Sequence, residues 1–382
     1  MRSLDVGRCA LGACVVAMLA GCGGANSGLD SSMPTAAAPQ VVAPSLPPTT
    51  ANLYVANGVG PSVTVYARGR ELIRTITQGV NNPDALAFAS SGDLYIANDG
   101  CKFPSCKPIA SSTVTVYAPG TITVLRTIAK GVDNPAALAF DGSGDLYVAN
   151  VGCPTASSCK HIEPSTVTVY APGSTKVLRT IAEGIDQPDA EAFDASGNLY
   201  VANYETNSVT VYAPNSTKVL RTIENGVQGP DALAFDGSGD LYVANYPCQF
   251  ASCRNVPSSV TVYAPGSSKV LRTISQGVTS AFALAFDRSG NLYVANNANG
   301  NVTDYAPGST KLLHTIEKGV AVPNALAFDR SDNLYVGNGG CGPDSCNRSE
   351  APTITVYAAR SVKLLHTIKK GVAGPAALAF GP

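Results

Sequence analysis

Residues 135–150 read PAALAFDGSGDLYVAN, two short apolar blocks joined by five residues of turn chemistry. The first block alternates small and large side chains (Ala137, Leu138, Ala139, Phe140), and the second is rich in Leu, Tyr and Val, the composition of β-strands. Asp141 to Asp145 carries two glycines, so the blocks are expected to fold back on each other as a tight hairpin. Two further blocks follow, STVTVY at 165–170 and VLRTI at 177–181. Between them, Pro172-Gly173 puts proline and glycine where a type II turn needs them. The unit is four short strands joined by turns.

This unit recurs seven times. LYVAN or a close variant begins at Leu53, Leu94, Leu146, Leu199, Leu241, Leu292 and Leu334, with spacings of 41, 52, 53, 42, 51 and 42 residues. Four strands at this period mark a propeller blade. The repeats open on a second-block strand at Asn52 and end on a first-block strand at Ala376–Phe380. The last strand must therefore complete the blade begun by the first three, and the expected fold is all-β, a closed seven-bladed β-propeller over residues 51–382. The absence of tryptophan excludes the WD-dipeptide propellers. The pattern P-x-A-L-A-F-D-x-x-G-N-L-Y-V-A-N…V-T-V-Y resembles NHL and YVTN-type propeller repeats. That resemblance implies the fold and says little about function, because such propellers serve as enzymes, sensors and scaffolds.

The preceding residues belong to targeting rather than to the fold. Arg2 and Arg8 precede an apolar run from Cys9 to Ala20, too short to span a bilayer. It ends in LAGC at 19–22, which resembles the bacterial lipobox. The resemblance implies that 1–21 are a signal peptide and that Cys22 is lipidated and becomes the new N-terminus. Residues 22–50 are rich in Gly, Ser, Ala, Thr and Pro, and read as a disordered tether. The expected location is the cell envelope, outside the cytoplasm on a lipid anchor, at the outer membrane if the host has one. With a net charge of −1, nothing suggests nucleic acid.

The distance from the Asn ending LYVAN to the next strand is 6 residues in three copies and 15 to 17 in four. Only the long copies contain cysteine, two in each: Cys101 and Cys106, Cys153 and Cys159, Cys248 and Cys253, Cys341 and Cys346. A zinc site needs four converging ligands, and each pair sits alone on its insertion. In an exported protein one local disulfide per loop is the expected outcome, stiffening loops that all leave the same end of the propeller. That end also carries the residue before each innermost strand: Asp84, Ala136, Asp189, Asp231, Phe282, Asn324 and Ala376. The loop face varies, while the opposite face repeats its hairpins almost verbatim.

Glu191 is the sharpest anomaly, a carboxylate where six copies have Leu. It could join Asp189 and Asp231 in an acidic arc at the channel mouth, with Asp84 nearby, or be a tolerated substitution reaching channel water. The asparagines ending LYVAN, Asn203 and Asn245 among them, could line a ligand site. A residue present in every blade more often satisfies loop backbone. His314 and His366 take an outer-strand position held elsewhere by Arg, and His161 sits alone in an insertion. This argues against lyases resembling virginiamycin B lyase, and no G-x-S-x-G is present. Two functions remain. One is a monomeric, lipid-anchored binding or scaffold module without cofactor, taking a protein, small-molecule or glycan ligand on its loop face. The other is a gluconolactonase-like hydrolase with one divalent cation at the channel mouth.

Overall fold

The structure, a computed structural model, describes residues 51–99, 101–102, 107–108, 112–152, 164–246, 258–340 and 351–382. Cys22, the signal segment and the tether lie outside the described residues. So do the expected disulfides: Cys106, Cys153, Cys159, Cys248, Cys253, Cys341 and Cys346 all fall outside, and Cys101 is described in its backbone alone. The pairings Cys101 with Cys106, Cys153 with Cys159, Cys248 with Cys253 and Cys341 with Cys346 therefore stand as expectations from the sequence.

Seven four-stranded antiparallel sheets account for the described secondary structure, besides a short pairing of 101–102 with 107–108. Blades two to seven run from innermost to outermost strand over 83–128, 135–181, 188–223, 230–274, 281–316 and 323–368. Blade one is composite. Asn52–Asn57, Ser62–Ala67 and Glu71–Ile76 form its outer strands, and the chain's last strand, Pro375–Gly381, is its innermost. The register pairs Leu53 with Phe380, Tyr54 with Ala379 and Val55 with Leu378. That strand also touches the innermost strands of blades two and seven, so the ring closes as the repeat phase requires.

The blades are held to each other by a repeated aromatic contact. The Tyr of each LYVAN stands edge-on to the Phe of the next blade's innermost strand. The seven pairs, from Tyr54–Phe88 round to Tyr335–Phe380, have centroids 4.9–5.1 Å apart. Such a pair contributes about 0.5–1.5 kcal/mol beyond its buried area. Farther out, the third-strand Tyr donates its hydroxyl to a carbonyl in the turn leaving the preceding blade. Tyr170 reaches Lys130 O at 2.7 Å, and Tyr66 reaches Lys370 O at 2.7 Å across the closure. The closure is built like every other seam.

The hairpin face repeats its polar chemistry as well. In blade three, Arg179 lies over the Tyr147 ring, donates to its hydroxyl, and sits 3.6 Å from Asp145. Blades two and five repeat this with Arg126, Tyr95 and Asp93, and with Arg272, Tyr242 and Asp240. At the rim, the outermost strand carries a bulge. Arg179 pairs with Val169 and Val177 with Tyr170, which leaves Leu178 unpaired and 51% exposed. A bulge at a sheet edge breaks the ladder on which another strand would dock.

Candidate functional site

Each innermost strand starts at the loop face, and each starts with a β-bulge. In blade four Pro188 pairs with Asn203 and Ala190 with Ala202, so Asp189 is the extra residue. The same shift isolates Asp84, Ala136, Asp231, Phe282, Asn324 and Ala376. A bulge re-aims its side chain, and bulges are frequent beside active sites. The seven variable residues of the mouth are thus the seven that the ladder does not use.

Behind them stand the asparagines that end the second strands. Asn203 is fully buried: its Oδ1 accepts the Asp186 backbone N–H at 3.0 Å, and its Nδ2 donates to Thr210 Oγ1 at 3.0 Å. Asn245 does the same with the Gln228 N–H, 2.9 Å, and Thr261 Oγ1, 2.8 Å. All seven accept a backbone N–H from the connection between blades. These amides are engaged in shaping the connections on which the bulges stand.

A second variable ring went unread in the sequence. The residue after each of these asparagines is Gly58, Asp99, Val151, Tyr204, Tyr246, Asn297 or Gly339. It lies beside the bulge residue of its own blade. A Cβ on Gly339 would come within 2.7 Å of Asn324 Nδ2, and one on Gly58 within 3.1 Å of Ala376 Cβ. Asn297 Nδ2 donates to Asn324 Oδ1 at 2.9 Å, joining blades six and seven. The signal was present as variation starting immediately after an invariant block, at positions that look like ordinary loop.

The acids of the mouth fall into two groups. In blade two, burial pushes Asp84 well above the usual carboxylate range, and the Asp99 charge adds to this. Asp99 itself is pushed up to about 6 by burial, against a hydrogen bond from Asn82 and with the Asp133 charge adding. In blades four and five, burial raises Asp189 to about 7. Asp231, raised well above the usual range by burial and by Asp189, has an Oδ2 with no hydrogen-bond partner. Tyr246 stands next to Asp231: burial raises its hydroxyl pKa, the Asp231 charge adds, and Ser280 opposes by hydrogen bonding. The Tyr246 ring lies edge-on to Phe282 of blade six, centroids 6.4 Å apart at 64°. Asp189, Asp231, Tyr246 and Phe282 form one arc over three adjacent blades.

Glu191 is not part of that arc. Asp189 turns toward Asp231 in blade five, whereas Glu191 feels the Ala139 backbone N–H of blade three, whose approach falls short of a hydrogen bond. The carboxyl is 1% exposed, both oxygens lack a partner, and burial drives its pKa well upward. It is held as a neutral acid in a position built for Leu. Among the described residues, no group of three or more His, Cys, Asp or Glu is arranged to hold a metal ion.

One further polar substitution pairs across strands. Blade six reads NVTDY where every other blade has Val before the final Tyr, and buried Asp304 faces His314 in register, Nδ1 to Oδ2 3.0 Å. The aspartate at a valine position thus pairs with the histidine at an arginine position, whereas in blade seven His366 faces Val356.

No family model matches the chain, and no curated protein matches it. Among solved structures, the chain is similar to a protein of unknown function from Desulfotomaculum acetoxidans. The identity is 13%, over 86% of this chain and 98% of that one, with a TM-score of 0.64. It is also similar to a provisionally assigned 6-phosphogluconolactonase from Bacteroides uniformis. There the identity is 14%, over 87% of this chain and all of that one, with a TM-score of 0.63. At such identities the likeness speaks for the fold alone.

Proposed function

We propose that this propeller is a ligand-binding or scaffold module, displayed on the cell envelope by a lipid on Cys22, that engages its partner through the mouth of the loop face. One observation carries this: the bulge residues and their neighbours vary around the ring and include three buried acids, while the hairpin face repeats closely similar turns. Asp84, Asp189 and Asp231 are buried acids at a position that blades one and three fill with Ala376 and Ala136. Residues that oppose stability and break the repeat are those expected of a functional site. The NHL-like character of the repeats and the four disulfide-stiffened loops around this mouth belong to the same proposal, on the strength of the motif and of the cysteine spacing.

The second reading is a gluconolactonase-like hydrolase at the same mouth. In its favour is the fold shared with the provisionally assigned 6-phosphogluconolactonase. Against it is the lack, among the described residues, of a three-ligand metal group.

Hydrogen–deuterium exchange tests the choice of face. The mature protein would be screened by thermal shift against glycans, peptides and small metabolites, and any hit mapped by exchange. Protection is expected in the connections at 77–83, 182–188 and 224–230. Protection confined to the hairpins at 141–145, 194–198 and 236–240 would place the site on the other face.

A further inference from the structure

We propose that the arc of Asp189, Asp231, Tyr246 and Phe282 recognises an organic ammonium group, so that the ligand of the loop face is an amine or a quaternary ammonium. The proposal rests on the loop face being the binding face and names the chemistry that face would select.

Four features point the same way. Asp189 and Asp231 occupy equivalent bulges on adjacent blades, 6% and 2% exposed, and the Asp189 charge acts on Asp231. Two like-charged acids brought this close out of water need a cation to ionise together. Among the described residues no basic side chain acts on the pair: the influences on it are burial and the pair itself. The buried Asp231 Oδ2 has no donor, a vacancy of one hydrogen bond that an N–H would fill.

The third feature is aromatic. Tyr246 lies close enough to Asp231 to feel its charge, and Phe282 lies edge-on to Tyr246. An aromatic face attracts cations by about 0.5–2 kcal/mol, and aromatic surfaces beside carboxylates are how proteins hold quaternary ammonium ligands. A metal ion gains little from Phe282, and no third His, Cys, Asp or Glu ligand converges with the two acids among the described residues. Two carboxylates with two rings suit a soft, bulky cation and not a small, hard one.

The fourth is the surroundings of the arc. Phe282's neighbour in the second ring is Asn297, an amide that bonds to Asn324 of blade seven, and blade three offers Ala136 and Val151. This acidic sector is therefore flanked by neutral polar surface on one side and apolar surface on the other. Such a sector orients a ligand carrying a cation at one end. Among the described residues this sector also holds Tyr204, Asp186 and Glu205, and burial with the Glu205 charge raises the Asp186 pKa.

The experiment is isothermal titration of the full mature protein with n-butylammonium, tetramethylammonium, n-butanol and calcium, each at pH 6 and pH 8. Both ammonium probes are expected to bind and n-butanol is not. Affinity should rise at least fivefold from pH 6 to pH 8, because the cation binds the ionised acids and displaces their protons. Asp231→Asn and Asp189→Asn should each weaken binding at least tenfold, Phe282→Leu at least threefold, and Glu71→Gln, exposed on the outermost strand of blade one, not at all. Circular dichroism melts would confirm that each variant is folded. Calcium binding in preference to the amines, or amine binding unchanged in Asp231→Asn, would overturn the assignment. A loop-face ligand of another class, insensitive to Asp231→Asn and Phe282→Leu, would overturn it and leave the loop-face reading standing. Exchange protection confined to the hairpin face would overturn both.

Discussion

Replacing Glu191 with Leu should stabilise this protein, and by an amount that grows with pH. The substitution restores the residue that six other innermost strands carry, with the equivalents Leu86, Leu233 and Leu378 at 4%, 2% and 0% exposure. It removes a carboxyl that is 1% exposed with neither oxygen hydrogen-bonded. An unsatisfied buried polar group costs about 1–3 kcal/mol, and the Glu methylenes already take most of the apolar burial that Leu would gain. At pH 4, with the acid protonated in folded and unfolded chains alike, the gain should be about 2 kcal/mol. Burial raises the folded-state pKa well above 4.5. The folded chain therefore holds a proton that the unfolded chain releases as pH rises past that value. Wild-type stability then falls relative to the variant by up to about 1.4 kcal/mol per pH unit, until the folded-state pKa is reached. Urea denaturation of both proteins at pH 4, 5.5 and 7 measures it, the other acids cancelling in the difference. A gap constant with pH, or a less stable variant, would mean that Glu191 is solvated or paired, and the reasoning would fail.

Truncation after Gly374 removes the innermost strand of blade one, including fully buried Leu378 and the Phe380 partner of Tyr335. It should abolish cooperative unfolding, whereas deleting Ser27–Pro47 should leave the melting temperature within about 1 °C, the scale of a surface change; equal melting of the two would refute the closed ring. His314→Ala strands the buried Asp304 and should cost about 1–2 kcal/mol, discounted because the histidine is 47% exposed. The double change Asp304→Val with His314→Arg, which restores the repeat, should recover at least that much in denaturant midpoint. Cys22→Ala should abolish lipid labelling and release the protein from membranes. Non-reducing peptide mapping should join Cys101 to Cys106, Cys153 to Cys159, Cys248 to Cys253 and Cys341 to Cys346, and pairs between loops would contradict this.

The blade count, the four-strand repeat and the closure by the C-terminal strand were all legible in the sequence, because each depends on local composition and on counting copies. The loop face was legible too, from the length of the insertions after Asn98, Asn150, Asn245 and Asn338. The bulge was not: nothing local to Pro188-Asp189-Ala190 says that Asn203 will pair with the first and Ala202 with the third. Register is a property of two strands together, so the sequence left open whether Glu191 joins Asp189 in one arc or stands apart from it. The second ring was hidden for a related reason, since Tyr246 becomes part of a site only through Asp231 and the Phe282 of another blade. Asp304 and His314 were each visible as departures from the repeat, and only the cross-strand register joins them.

The most direct test of the account is a single melting comparison at the mouth. The triple variant Asp84→Ala, Asp189→Ala, Asp231→Ala gives three bulges the side chain that Ala136 and Ala376 already place there. If these acids are kept for binding and burden the fold, the variant should melt several degrees above the wild type at pH 8, where the buried acids are under most pressure to ionise. The gap should shrink at pH 5, where folded and unfolded chains come closer to equal protonation. A variant that melts below the wild type at both pH values would show that the mouth acids hold the propeller together, and would contradict the assignment of that mouth as the functional site.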